Sequence, residues 1–150
     1  MQLTQHTDYG LRLLIVLARR GGEQIALTEF AADQRLSYHH VAKVAQSLVR
    51  EGLLISRRGR SGGVELARRP EEITVGEIVR VLERGLQLAD CAGCSLREDC
   101  NASPLLTDAL AAFLAVLDRS TLADAANRQS RAPGSRTVTP LDAGSDRPSR

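Results

Sequence analysis

Cys91, Cys94 and Cys100 are the only cysteines of the 150-residue chain, with two and then five residues between them. An odd number cannot all pair as internal disulfides. The opening residues, Met1 to Asp8, lack the basic-then-apolar pattern of a secretory signal, which favours a thiolate metal site over a disulfide framework. Thiolates are soft donors that select zinc or iron–sulfur clusters. Both usually take four protein ligands, so a fourth must come from elsewhere. Structural zinc usually draws on two ligand pairs, and no second Cys-x2-Cys or His-x3-His pair is present. A coordinatively incomplete set of three thiolates fits a reactive iron–sulfur centre better than an inert structural ion. Zinc and a Cys91–Cys94 disulfide switch remain alternatives. His39 and His40 are also metal-ligand types, but they fall far from the cysteines, on a segment better suited to DNA.

The elements that must position this loop follow from composition and periodicity. With 43% hydrophobic residues, the chain can build one modest core. No apolar run approaches the roughly 18 residues that span a bilayer, so a soluble, reducing, cytoplasmic setting is expected. The net charge of +2 conceals a segregation. Residues 35–69 carry eight basic side chains against Glu51 and Glu65, a net of +6, whereas residues 71–124 carry four basic and ten acidic ones, a net of −6. That asymmetry suggests one surface made for a polyanion, against the plainer alternative of ordinary solvated charge.

Helical spacing predicts a first helix from Thr7 or Asp8 to about Arg20, stopped by Gly21-Gly22. A shorter helix is expected from Thr28 to about Gln34, with Phe30 and Ala31 inward. Between Ser37, a good cap, and Gly52, a good terminator, Val41, Val44, Ala45, Leu48 and Val49 form a buried stripe. Leu53 to Arg58 and Val64 to Ala67 then alternate as two short strands around the Gly59–Gly63 connector, a hairpin. This order is a winged helix-turn-helix, whose second helix enters the major groove. Ser37, Tyr38, His39 and His40 stand at the start of that helix to meet base edges, followed by Lys43, Gln46 and Arg50. Arg57, Arg58, Gly59, Arg60 and Ser61 make the wing that meets the DNA backbone or minor groove. A protein-binding winged helix with a solvated basic face is the alternative. The 3% aromatic content and the lack of Trp argue against a stacking platform for single strands.

Beyond Pro70, Thr74 and Glu77 suggest a capping box opening a helix that turns Ile78, Val79 and Leu82 inward. Ser103-Pro104 suggests a cap and a first-turn proline. The helix that follows, over about 104–118, has a broad apolar face of Leu105, Leu106, Ala109, Leu110, Phe113, Leu114 and Leu117. That face is more than one small domain needs, so a homodimer interface is expected, with packing on the first helix as the alternative. Residues 131–150 read as a disordered tail. No phosphate-binding glycine fingerprint and no nucleophile–base pair stands out, which argues against an enzyme.

Three stretches resemble the Rrf2 family of winged-helix regulators. They are Met1-Gln2-Leu3-Thr4 with Thr7-Asp8-Tyr9-Gly10-Leu11-Arg12, the wing Arg58-Gly59-Arg60-Ser61-Gly62-Gly63-Val64-Glu65-Leu66-Ala67, and Leu117-Asp118-Arg119-Ser120-Thr121-Leu122-Ala123-Asp124. The likeness covers about residues 1–127 and, within the family, is greatest to its nitric-oxide-sensing repressors. It implies a mainly α fold: residues 1–130 as a winged helix-turn-helix with a cluster loop near 89–103 and a long C-terminal dimerisation helix. It also implies a homodimer on double-stranded operator DNA, with no membrane. The three cysteines would hold an iron–sulfur cluster, 4Fe–4S rather than 2Fe–2S, with Asp8 of the partner subunit as fourth ligand. A carboxylate binds iron weakly, so that corner is the one nitric oxide would attack, and nitrosylation would release the operator. Family members that regulate cluster assembly use a histidine three residues after the third cysteine, where this chain has Ser103. One feature departs from the family pattern. Only Ala92 and Gly93 separate the first two cysteines, a shorter gap than is general, and that bears on cluster nuclearity. A general redox regulator of the same family, or a small metal-binding protein without DNA regulation, are the competing readings.

Overall fold

Thr4 begins the first helix, three residues earlier than the sequence suggests. The computed structural model describes residues 2–59, 62–83, 85–91, 93–96 and 99–127; Met1, Arg60, Ser61 and the expected tail at 131–150 lie outside them. The Thr4 hydroxyl accepts the Thr7 N–H at 3.3 Å and caps α1 (Gln5–Arg19), whose first turn carries Asp8 where the helix dipole favours an anion. Leu13, Leu14 and Leu17 of α1 are fully buried. Gly10 lies where α1 meets Leu82: a Cβ there would fall 2.3 Å from a Leu82 methyl group.

The helix-turn-helix consists of α2 (Leu27–Asp33) and α3 (Tyr38–Arg50). Phe30 and Ala31 are buried as expected, and so are Val41, Val44, Ala45 and Leu48, whereas Val49 is half-buried. Ser37 occupies the N-cap position of α3, but its hydroxyl makes no capping bond. Strands β1 (Leu54–Arg57) and β2 (Gly63–Leu66) pair antiparallel from Leu54↔Leu66 to Arg57↔Gly63. β1 is one residue shorter at each end than its sequence pattern, and β2 keeps the expected length but starts one residue earlier. Ile25, between α1 and α2, adds two bonds of 2.9 Å to Val64 and roots the wing in the core. This contact explains Gly63, because a Cβ there would lie 2.5 Å from the Ile25 carbonyl oxygen.

A turn of 3-10 helix (Pro70–Glu72) leads into α4 (Val75–Leu82). The Thr74 hydroxyl accepts the Glu77 N–H at 3.1 Å, but the other half of the expected capping box is replaced: the Glu77 carboxylate takes Arg68. Helix α5 (Ala102–Asp118) starts before Ser103, with Asn101 at its N-cap. Pro104 therefore sits third in the helix, which is tolerated because first-turn N–H groups have no intrahelical acceptor. No helix is expected from the sequence over α6 (Leu122–Ala126). It exists because Thr121 and Asp124 close a reciprocal capping box and Leu122 is fully buried, its N–H bonded to the Ile73 carbonyl at 2.8 Å. One core joins α1, α2, α3, α4, α6 and the wing root.

Helix α5 stands apart from this core. It packs against α4, where Arg80 grips Asp118 through two 2.6 Å bonds, yet none of its residues is buried. Among the described residues, no helix is long and apolar enough to cross a membrane.

Candidate functional site

The exposed side of α3 carries Tyr38, His39, His40, Lys43, Gln46 and Arg50, all accessible to solvent. Tyr38, at 53% exposure, shares an open groove of about 380 Å³ with Arg57, Arg58 and Gly59 of the wing and the start of α2. The rings of His39 and His40 lie 6.1 Å apart. The start of the second helix and the wing thus line one concave surface, as a winged-helix reader requires. Arg60 and Ser61, expected at the wing tip, lie outside the described residues.

Ion pairing sorts the basic side chains of residues 35–69 into two groups. Arg57 donates to Glu65 from Nε at 3.0 Å and from a terminal nitrogen at 2.7 Å, across the wing. Arg50 approaches Glu51, Arg68 binds Glu77, and Arg69 lies near Glu71 and Glu72. Arg35, Lys43 and Arg58 have no acidic partner among the described residues. An unpaired cation can meet a phosphate without first breaking a bond.

The cysteine loop joins α4 to α5. All three thiols are free; Cys91 and Cys100 are half-buried and Cys94 is exposed. Cys91 opens onto a recess of about 290 Å³ that Leu86, Leu88, Leu106 and Leu110 line with apolar surface. Among the described residues, no three of Cys, His, Asp and Glu converge on one point. The donors fit an iron–sulfur centre by type, being three soft thiols free of disulfide, whereas the described residues of one chain do not gather a full ligand set. Asp8 is engaged within its own helix, its carboxylate held by Arg12 at 2.7 and 3.0 Å. Acting as a ligand would require it to leave that pair.

Sequence reasoning missed Glu83, the residue that ends α4 and opens the loop. Its carboxylate accepts the Thr4 N–H at 2.6 Å and the Thr4 hydroxyl at 3.0 Å, tying the loop to the helix that carries Asp8. Burial pushes the Glu83 pKa up, but the hydrogen bonds from Thr7 and Thr4, helped by nearby His6, outweigh it and hold the group below its ordinary 4.5. A lowered folded-state pKa stabilises the fold above the unfolded value, and that contribution is lost as pH falls through the folded one. Glu83→Ala should therefore cost about 1 kcal/mol at pH 7. The deficit should shrink as pH falls below the ordinary carboxylate range. Thermal melts at pH 7 and at pH 3 to 4 check this, and an equal deficit at both would remove the ionic contribution.

A helix-turn-helix with a two-stranded wing, unpaired cations beside the reading helix and a free cysteine loop behind it define a winged-helix DNA-binding protein. A profile of the Rrf2 family, described as iron-dependent transcriptional regulators, matches residues 3–128. The HTH-type transcriptional regulator NsrR of Shouchella clausii (strain KSM-K16) is 42% identical over 130 residues, covering 83% of this chain and 87% of its own. NsrR of Bacillus subtilis (strain 168) is 39% identical over 130 residues, covering 83% and 89%. The crystal structure of the oxidized form of Staphylococcus aureus CymR matches with a TM-score of 0.70 at 32% identity, covering 87% of this chain and 99% of that one. The chain belongs to the Rrf2 family of transcriptional regulators. It is a DNA-binding regulator and not an enzyme.

Proposed function

We propose that this regulator is a homodimeric repressor that releases its operator when nitric oxide reacts at an iron–sulfur cluster. Cys91, Cys94 and Cys100 would hold the cluster, of 4Fe–4S type, with Asp8 of the partner subunit as fourth ligand. The observation that carries the reading is the loop itself. The chain's only three thiols, all free, sit between the DNA-binding core and a helix that buries none of its residues. When bound, the cluster supplies iron that nitric oxide attacks.

The protein's own part is positioning. Glu83 fixes the start of the loop to Thr4, one turn before Asp8, so a change in loop order reaches α1 directly. Helix α1 packs on α3, which would carry that change to the reading face. There Ser37, Tyr38, His39, His40 and Gln46 would meet base edges. Lys43, Arg50, Arg57, Arg58, Gly59, Arg60 and Ser61 would meet the backbone. The regulator names of the relatives and the iron-dependent family description support this reading.

Protein isolated without oxygen should be brown and contain iron and sulfide. A Mössbauer spectrum should give the cluster type, and operator binding should fall as nitric oxide is added. A colourless protein carrying one zinc per chain would sink the proposal. A brown protein released by oxidants but not by nitric oxide would leave a general redox regulator.

A further inference from the structure

Two helices of this molecule end in the same way, and the difference between them is informative. At the end of α3, the Leu53 N–H returns to the Leu48 carbonyl at 2.9 Å and the Gly52 N–H to Val49 at 3.1 Å. At the end of α2, the Leu36 N–H returns to Ala31 at 2.8 Å and the Arg35 N–H to Ala32 at 3.1 Å. Both are Schellman motifs, which require a left-handed residue at the position just past the cap. Gly52 supplies it at φ +72 and Arg35 at φ +54. Among the described residues, Arg35 is the one non-glycine at positive φ. A left-handed conformation is free for glycine and unfavourable for arginine, because Cβ crowds the following carbonyl oxygen.

Among the described residues, no ion pair or burial offsets that choice. Arg35 is exposed, so its side chain buries little. No carboxylate among the described residues pairs with it. Asp33, two residues earlier, acts on Arg20 instead. A cation past the end of α2 gains from the helix dipole, but solvent and salt screen that gain at an exposed site. What distinguishes the position is its place. Arg35 sits in the turn of the helix-turn-helix, three residues before Tyr38 opens the reading helix, and it joins Lys43 and Arg58 as an unpaired cation of the basic segment.

We propose that Arg35 is a DNA phosphate contact, kept in a strained turn because its guanidinium anchors the start of the reading helix on the backbone. The inference rests on DNA binding by this face and adds a residue to it. The strain is a folding cost, so binding and stability should respond to its removal in opposite directions.

Full-length Arg35→Gly and Arg35→Lys proteins test this, with a mixed-sequence duplex of roughly 30 base pairs as probe, because phosphate contacts carry non-specific binding. The glycine variant should melt above wild type and bind the duplex more weakly. Its log–log salt slope should be shallower by about 0.9 per subunit. Its deficit should therefore narrow about threefold to fourfold per subunit between 50 and 200 mM salt. Arg35→Lys should keep the wild-type slope. A glycine variant that binds with unchanged affinity and slope overturns the assignment, even if it melts higher. A wild-type protein that binds no duplex at any salt overturns it together with the DNA-reading face.

Discussion

Cys94→Ala protein purified without oxygen should be colourless, and its binding to operator DNA should no longer respond to nitric oxide. The chain offers three thiolates and no spare, so in the proposed ligand set losing one would leave two thiolates and a carboxylate, too few and too hard a donor set for an iron–sulfur cluster. Cys94 is the cleanest of the three to remove. Cys91 lines the recess against α5, and Cys100 is half-buried just before that helix, so truncating either disturbs packing as well. Cys94 is exposed and forms no disulfide. Substitutions at such positions usually change stability by no more than about 0.5 kcal/mol. An unchanged melting temperature of the metal-free protein beside a lost absorbance would therefore report ligation rather than unfolding. Cys94→Ala protein that stays brown, with wild-type iron and sulfide content, would remove Cys94 from the ligand set.

The winged helix was legible in the sequence because its signals are local. Val41, Val44, Ala45 and Leu48 recur at helical spacing, Gly52 ends the helix, and Gly59 to Gly63 turn the hairpin. Errors arose where two local signals competed or where a partner lay far along the chain. Ser103-Pro104 looked like a helix start, yet the helix begins at Ala102 because a proline in the first turn breaks no bond. Glu77 had the spacing of a capping box, but Arg68 claims its carboxylate. The short α6 escaped because Leu122 is held by Ile73, a contact that no periodicity announces.

The candidate site divides in the same way. The type and spacing of the cysteines were plain, as was the basic bias of residues 35–69. Which cations are neutralised was not legible, since Arg57 meets Glu65 only once the hairpin pairs. The Glu83–Thr4 link spans 79 positions, and neither residue is unusual in its own neighbourhood. Arg35 was counted as one basic residue among eight, because a backbone angle leaves no trace in composition.

In the proposed homodimer, Leu105→Glu should turn the dimer into a monomer and weaken operator binding by at least about a hundredfold. Helix α5 has two apolar sides. Leu106, Leu110, Phe113, Leu114 and Leu117 are half-buried on one side. Leu105, Ala109, Ala112 and Val116 recur at alternating steps of four and three on the exposed side, with Leu105 at 67% and Val116 at 44% exposure. That spacing is a heptad seam, and its central alanines let a second helix approach closely. Two-fold symmetry doubles every change at such a seam. Losing about 2 kcal/mol of leucine burial twice is about 4 kcal/mol, or roughly a thousandfold in the dimerisation constant, before the cost of burying two carboxylates. A monomer also loses the tethering of its second half-site, a gain of about 10² to 10⁴ in avidity. Because Leu105 is exposed in the single chain, the charge should leave the winged-helix core folded, and a cooperative melt would check that. Sedimentation equilibrium is the direct measurement. A Leu105→Glu protein that keeps a dimer's mass would show that this seam does not hold the two chains together, and that α5 covers its apolar surface in some other way.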